Sequence, residues 1–136
     1  MTVYKVAELA KWAKKAERRQ DYVVAQSTNN LFDRGSRTAP GVTRGGVVKP
    51  GFIPRDLGFL AASQVSSLNG STALSGENSY VFAIANMKAG DRAQLGWTAP
   101  YARRLHYAGW LWVDSAANDW QAIVADVVRE AMEIER

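Results

Sequence analysis

Residues 52–70, FIPRDLGFLAASQVSSLNG, are where the chain changes character and where its fold class is decided. Pro54 and Asp56 open the stretch, a short segment able to turn helical follows, and Gln64 to Leu68 reads as extended. Before it lie a helical pattern and a glycine-rich loop; after it, strand signals alternate with turns and end in one amphipathic helix. The reading is an α+β domain with a long N-terminal helix, a small antiparallel sheet of three to four strands, and a C-terminal amphipathic helix packed on the sheet.

Working downstream, SGEN at 75–78 is a turn signal. SYVFAIA at 79–85 is rich in β-branched and aromatic residues and predicts a strand. MKAGDR turns the chain, and AQLGW at 93–97 reads as the antiparallel partner of that strand, with residues 110–113 as an edge strand. In the last element Trp120, Ile123, Val124, Val127, Ala131 and Ile134 share one helical face, while Asp119, Asp126, Arg129, Glu130 and Glu133 lie elsewhere. Asp114 or Ser115 stands where an N-cap would accept orphan backbone N–H bonds.

Upstream, a helix is expected from Val3 to about Asn30, within an N-terminal segment of residues 1–33. Val6, Leu9, Ala13, Ala16, Gln20 and Val23 build its apolar face, which is thin, so the helix gains little from burial and calls for a neighbouring subunit. Lys11, Lys14, Lys15, Arg18 and Arg19 follow i, i+3, i+4, i+7 and i+8 spacing and form a basic stripe, offset only by Glu8, Glu17 and Asp21. Such a stripe is either a solvated face or a contact with DNA or an acidic protein surface. Residues 34–51, RGSRTAPGVTRGGVVKPG, hold five glycines, two prolines, four basic residues and no acid, and read as a long loop that orders on a partner.

A chain of 136 residues makes one domain, 1–136, with the sheet and the C-terminal helix in 52–136. With no cysteine, disulfides, thiol nucleophiles and thiolate metal sites are excluded. The charged N-terminus lacks the apolar run of a signal peptide, and no span nears the ~20 residues that cross a bilayer, so a soluble chain made inside a cell is expected, with no membrane partner. The net charge of +4 is unevenly placed: residues 1–55 carry eleven basic and four acidic residues, residues 56–136 six and nine. That asymmetry suits one end facing a polyanion and another meeting protein.

His106, the only histidine, sits in TAPYARRLHYAG at 98–109. A general base needs a group to deprotonate and usually an acid to orient it, and no GxSxG elbow, Walker loop or GxGxxG supplies a catalytic context. One histidine, no cysteine and no clustered carboxylates make a poor metal site. No enzyme, cofactor or metal is expected, and His106 reads as structural or interfacial. Trp97, Tyr101, Tyr107, Trp110, Trp112 and Trp120 crowd one region, where aromatics serve cores, protein interfaces or base stacking. Five tryptophans exceed what a modest core hides, which places some at subunit contacts.

TAPYARRLHYAG resembles the Pro-Tyr-Ala corner, running through basic and aromatic residues to a glycine, of the small tail-completion and head–tail joining (neck) proteins of long-tailed bacteriophages. Pro54 to Ser63, PRDLGFLAAS, is similar to that family's Asp-x-Gly-x-Leu-x-x-Ser segment, and the order of elements also fits. Ala108 departs from the pattern by separating Tyr107 from Gly109, and the 34–51 loop is long and basic. Tail completion factor, terminator and stopper stay open. The resemblance implies a structural virion protein, assembled in the bacterial host cytoplasm, whose partners are copies of itself in a hexameric ring, adjacent neck and tail proteins, and packaged DNA held without sequence reading. Expected at the subunit interface are Tyr101, Arg103, Arg104, His106, Tyr107, Trp110 and Trp112. Expected towards DNA are Lys11, Lys14, Lys15, Arg18, Arg19, Arg37, Arg44 and Lys49. Within the corner, Tyr101 and Leu105 are expected to pack inward while Arg103 and Arg104 diverge, one of them anchoring an acid.

Overall fold

A computed structural model describes residues 6–39, 48–55 and 58–134. The fold is α+β. Helix α1 (Val6–Gly35) leads into strand β1 (Thr38–Ala39), β2 (Ile53–Pro54), helix α2 (Phe59–Ala62), β3 (Gln64–Leu68) and β4 (Leu74–Ser75). Helix α3 (Tyr80–Ala83), β5 (Ala93–Trp97), α4 (Ala102–Leu105), a wide turn (His106–Trp110), α5 (Trp112–Asn118) and α6 (Trp120–Ile134) complete the described chain. β3 is the centre of a three-stranded antiparallel sheet of order β4-β3-β5, with Gln64 opposite Trp97 and Leu68 opposite Ala93.

The strand expected at 79–85 is a short helix and turn instead, and the partner of 93–97 is β3. The spacing of the buried side chains explains the change. Tyr80, Ile84 and Met87 are buried, four and three residues apart, which is helical spacing. A strand would have turned Phe82 to the same side as Tyr80 and Ile84, yet Phe82 is 78% exposed. Gln64 reinforces the turn into α3: its Oε1 accepts the N–H of Asn78 at 2.6 Å, and its amide donates to Ser36 Oγ at 2.7 Å. The hydroxyls of Ser66 and Ser79 pair at 2.7 Å beside it.

Residues 110–113 are not an edge strand either. Trp110 ends the wide turn and Trp112 begins α5, with Leu111 between them at φ 42 and Gly109 at φ 121. These two left-handed backbone positions fold the chain sharply, so both indoles enter one core. Asp114 and Ser115 accordingly lie inside α5 rather than capping the terminal helix, and α6 starts after a break at Asp119.

The base of the expected 34–51 loop is structured. α1 runs through Gly35, and β1 pairs in parallel with β2, Thr38 opposite Ile53 and Ala39 opposite Pro54. Ile53 donates its N–H to the carbonyl of Arg37 at 2.8 Å. Pro54, which has no N–H, fits at this two-residue edge. Ala39 and Ile53 are buried with Leu60, Ala61, Ala102, Trp110 and Trp112 in one apolar cluster. A second cluster joins Tyr80, Ile84 and Met87 to Val24, Ala25 and Phe32 of α1 and to Leu68, Ala93 and Leu95 of the sheet. α1 thereby shares an apolar cluster with the sheet, and the C-terminal helix packs against the sheet side of the fold as expected.

α6 packs against this body chiefly along α1, with α5 beside it, burying Ile123, Val127 and Ala131 as its periodicity requires. Arg34 and Asp119 form an ion pair at 3.0 Å that joins the end of α1 to the start of α6. α6 therefore runs back along α1, and its fifteen residues reach about 22 Å, to the neighbourhood of residue 20. Asp21 accepts the N–H of Ala89 at 3.0 Å and ties α1 to the loop before β5. Residues 7–20 extend past that tie as an arm. The thin apolar face is open there: Leu9 is 49% exposed, and Ala13, Ala16 and Gln20 are exposed too. Among the described residues, no helix is long and apolar enough to cross a membrane.

Candidate functional site

The corner at 98–109 forms as a short helix followed by a wide turn. Tyr101 and Leu105 pack against the first core cluster, as their four-residue spacing requires. Arg103 and Arg104 are exposed, and among the described residues neither forms an ion pair. His106 is buried, its ring set edge-on to Trp112 at 5.0 Å and to Tyr107 at 4.7 Å. Its Nε2 accepts a long hydrogen bond from the Asp114 N–H at 3.4 Å and lies 3.8 Å from the Asp114 carboxylate.

A hollow of about 330 Å³ beside the ring is lined by Trp97, Ala102, Arg103, His106, Tyr107, Trp112, Val113 and Asp114. No aliphatic hydroxyl is in that lining to be deprotonated. His106 ties the wide turn to α5, bridging two segments through its ring faces and one nitrogen. Among the described residues, no three His, Asp or Glu side chains gather to hold a metal ion.

The seven residues expected at an interface separate by burial. Trp112 is 1% exposed, and Trp110 and His106 are also core side chains, so these three serve the inside of the subunit. The left-handed positions at 109 and 111, invisible as such in the sequence, turn them inward. Tyr101 is half-buried. Arg103, Arg104 and Tyr107 are exposed on one short stretch.

The basic stripe is where its spacing placed it, on the arm of α1. Lys11, Lys14 and Arg18 are exposed; Lys15 and Arg19 are half-buried, and the buried Nε of Arg19 has no hydrogen-bond partner among the described residues. Arg37 and Lys49 sit apart from it, their cationic groups 4.9 Å and 5.3 Å from the ring centre of Phe52. Arg44 lies outside the described residues.

Sequence reasoning missed Trp12, which is 73% exposed on the arm. It stands three residues after Leu9 and four before Ala16, so the helical spacing that selected those residues also includes it. The exposed tryptophans are therefore on the N-terminal helix and, at 39%, at Trp120 of α6, while those of the corner are buried.

Asp126, Glu130 and Glu133 fall at i, i+4 and i+7 along α6 and are exposed. Asp126 also lies 3.5 Å from Arg129. Between α6 and the C-terminal half of α1 is a hollow of about 260 Å³, lined by Asn30, Asp33, Arg34, Arg37, Ile123, Asp126 and Glu130. Asp33 also accepts the Tyr80 hydroxyl at 3.1 Å. Burial first, and the Asp33 charge second, raise that phenol well above its ordinary range, so it stays a neutral donor.

No protein-family model, no curated protein and no solved structure matches the chain.

Proposed function

We propose that this chain is a structural subunit of a bacteriophage neck, forming a ring at the head-proximal end of the tail for tail completion and head–tail joining around the DNA path. The observation that supports this most is the open arm of α1. Leu9 and Trp12 are exposed on the side of the helix away from most of the basic stripe, where the subunit's own core leaves them uncovered. An amphipathic helix with an uncovered apolar side is the kind of element a ring subunit presents to a neighbour. The motif resemblance at 54–63 and 98–109 supports the same reading. No catalytic step, cofactor or metal belongs to it: His106 is part of the corner's architecture.

Repeated around a ring, exposed cations would hold a phosphate backbone without reading its sequence. Arg37 and Lys49, paired over Phe52, are suited to that role. The test is electron microscopy of lysates from the parent phage lacking this gene. DNA-filled heads and tails accumulating apart, or tails with faulty ends, are expected; normal joined particles would sink the reading.

A second reading, a monomeric nucleic-acid-binding module, is favoured by the exposure of Lys11, Lys14 and Arg18. It requires that the isolated monomer retain duplex DNA with a steep dependence on salt.

A further inference from the structure

The geometry points to the open edge of β5 as the seat of an added strand: an extended segment of another protein, held by backbone hydrogen bonds and by an aliphatic and an acidic side chain two residues apart. This stands apart from the neck reading and does not depend on it.

The first observation is the phase of the ladder. Val65 stands opposite Gly96 and Ser67 opposite Gln94. Just beyond them, Thr98 donates its N–H to the carbonyl of Ser63 at 3.0 Å, and Asn69 donates to the carbonyl of Arg92 at 2.7 Å. Hydrogen-bonded pairs alternate along an antiparallel ladder, so Gln94 and Gly96 turn their backbone groups to β3, while Ala93, Leu95 and Trp97 turn theirs outward. Among the described residues no strand lies on that side, and none of these outward groups finds a partner. The other edge of the sheet, β4, is blunted by being two residues long. β5 runs for five residues, AQLGW, with no charge and no proline to guard its edge. A row of N–H and C=O groups at this repeat is matched by another extended backbone, which separates an added strand from a helix, a small ligand or nucleic acid.

The second observation is what lies beside the edge. A residue paired with Leu95 puts its side chain on the same face of the sheet as Leu95, the face that joins the second core cluster. There a hollow of about 120 Å³ is lined by Leu31 and Phe32 of α1, Leu95 and Trp97 of β5, and Val113 and Ala117 of α5. Its walls are apolar, which suits an aliphatic side chain. The residue two further on, opposite Trp97, lies beside the hollow of about 330 Å³ that Trp97 and Val113 share with Arg103 and Tyr107. Arg103 is exposed there, as is Arg92 at the other end of the strand, and among the described residues neither forms an ion pair. Of the two nearby carboxylates, Asp91 already accepts the Lys88 N–H and the Asn69 amide. That leaves Asp114, 3.8 Å from His106 Nε2, against two guanidinium groups. The edge therefore selects a segment with an aliphatic residue and, two positions on, an acid.

The test selects short random peptides from a display library on the full wild-type chain. Enriched sequences are expected to carry an aliphatic residue two positions from Asp or Glu. A synthetic peptide of that sequence is expected to slow hydrogen exchange at the Leu95 and Trp97 N–H groups. Ala93→Pro removes an outward N–H at the first residue of the strand, where proline is tolerated. Ala117→Trp fills the smaller hollow from an exposed position on α5. Each is expected to weaken the peptide by about tenfold or more, with the circular dichroism spectrum unchanged. Arg103→Glu, also at an exposed position, is expected to replace the enriched acid with Lys or Arg.

A library that yields no peptide, or peptides whose binding survives Ala93→Pro and Ala117→Trp, would overturn the added strand. Protection of Leu95 and Trp97 that grows with chain concentration in the absence of peptide would overturn it in favour of a second copy at the same edge. Peptides without the aliphatic-to-acid spacing, and indifferent to Arg103→Glu, would overturn the specificity assigned to the segment. The neck reading is decided separately, by the phage lysates.

Discussion

The two halves of α1 are one continuous helix with opposite relations to the rest of the molecule. From Asp21 onward, Val24, Ala25 and Phe32 join the second core cluster, Ser27 and Thr28 are buried, and α6 runs alongside. Before Asp21, alanines, lysines and arginines, most of them exposed, alternate with Leu9 and Trp12. The backbone period is the same in both. The C-terminal half is stabilised by tertiary burial; the arm relies on helix-favouring residues, Ala, Lys, Arg, Glu and Gln, and on being continuous with a helix already formed. What differs is the neighbour, and the proposed role rests on its absence along the apolar side of the arm.

Four measurements test that contrast. The largest effect is expected from Val127→Asp, because Val127 is fully buried on the face that α6 turns to the body. An unpaired carboxylate there should cost about 3 kcal/mol or more in denaturant unfolding. Phe32→Ala comes next. It removes the edge-on contact with Tyr80, ring centres 5.9 Å apart, and should cost about 2 kcal/mol, less than for a fully buried phenylalanine because Phe32 is half-buried.

Trp12→Ala on the arm should change the unfolding free energy of the monomer by no more than about 0.5 kcal/mol while weakening self-association. A loss of monomer stability as large as that of Phe32→Ala would erase the distinction between the halves. The smallest effect concerns the loop that anchors Asp21. Asp91 accepts the Lys88 N–H at 2.8 Å and the Asn69 amide at 3.0 Å, and the backbone bond, then the Asn69 bond, lowers its pKa. A lowered folded-state pKa contributes stability above the unfolded value, about 3.9, that is lost as pH falls through the folded value. Asp91→Asn should therefore flatten the acid side of a stability–pH profile slightly and leave neutral pH nearly unchanged.

Several elements were legible because their signals are local. The α1 stripe, the extended segment at 64–68, the strand at 93–97, the inward pair Tyr101 and Leu105, and the buried face of α6 all follow from short-range periodicity. SYVFAIA misled because its β-branched and aromatic residues suit a strand, while the residue that completes its helical face, Met87, lies beyond the run. The tryptophans at 110 and 112 misled differently. Their types suit an interface, but two left-handed backbone positions send them into the core.

The α+β class, the long basic helix, the amphipathic last helix and the lack of any thiol chemistry were determined by the amino-acid sequence alone, since each depends on residue type or on spacing within a few turns. The strand partners, the inward turn of the corner and the open arm of α1 were decided by the tertiary structure. The physical reason is that burial belongs to a pair of surfaces: the same apolar spacing is core at Phe32 and an open flank at Trp12, and only the position of α6 and the sheet separates the two.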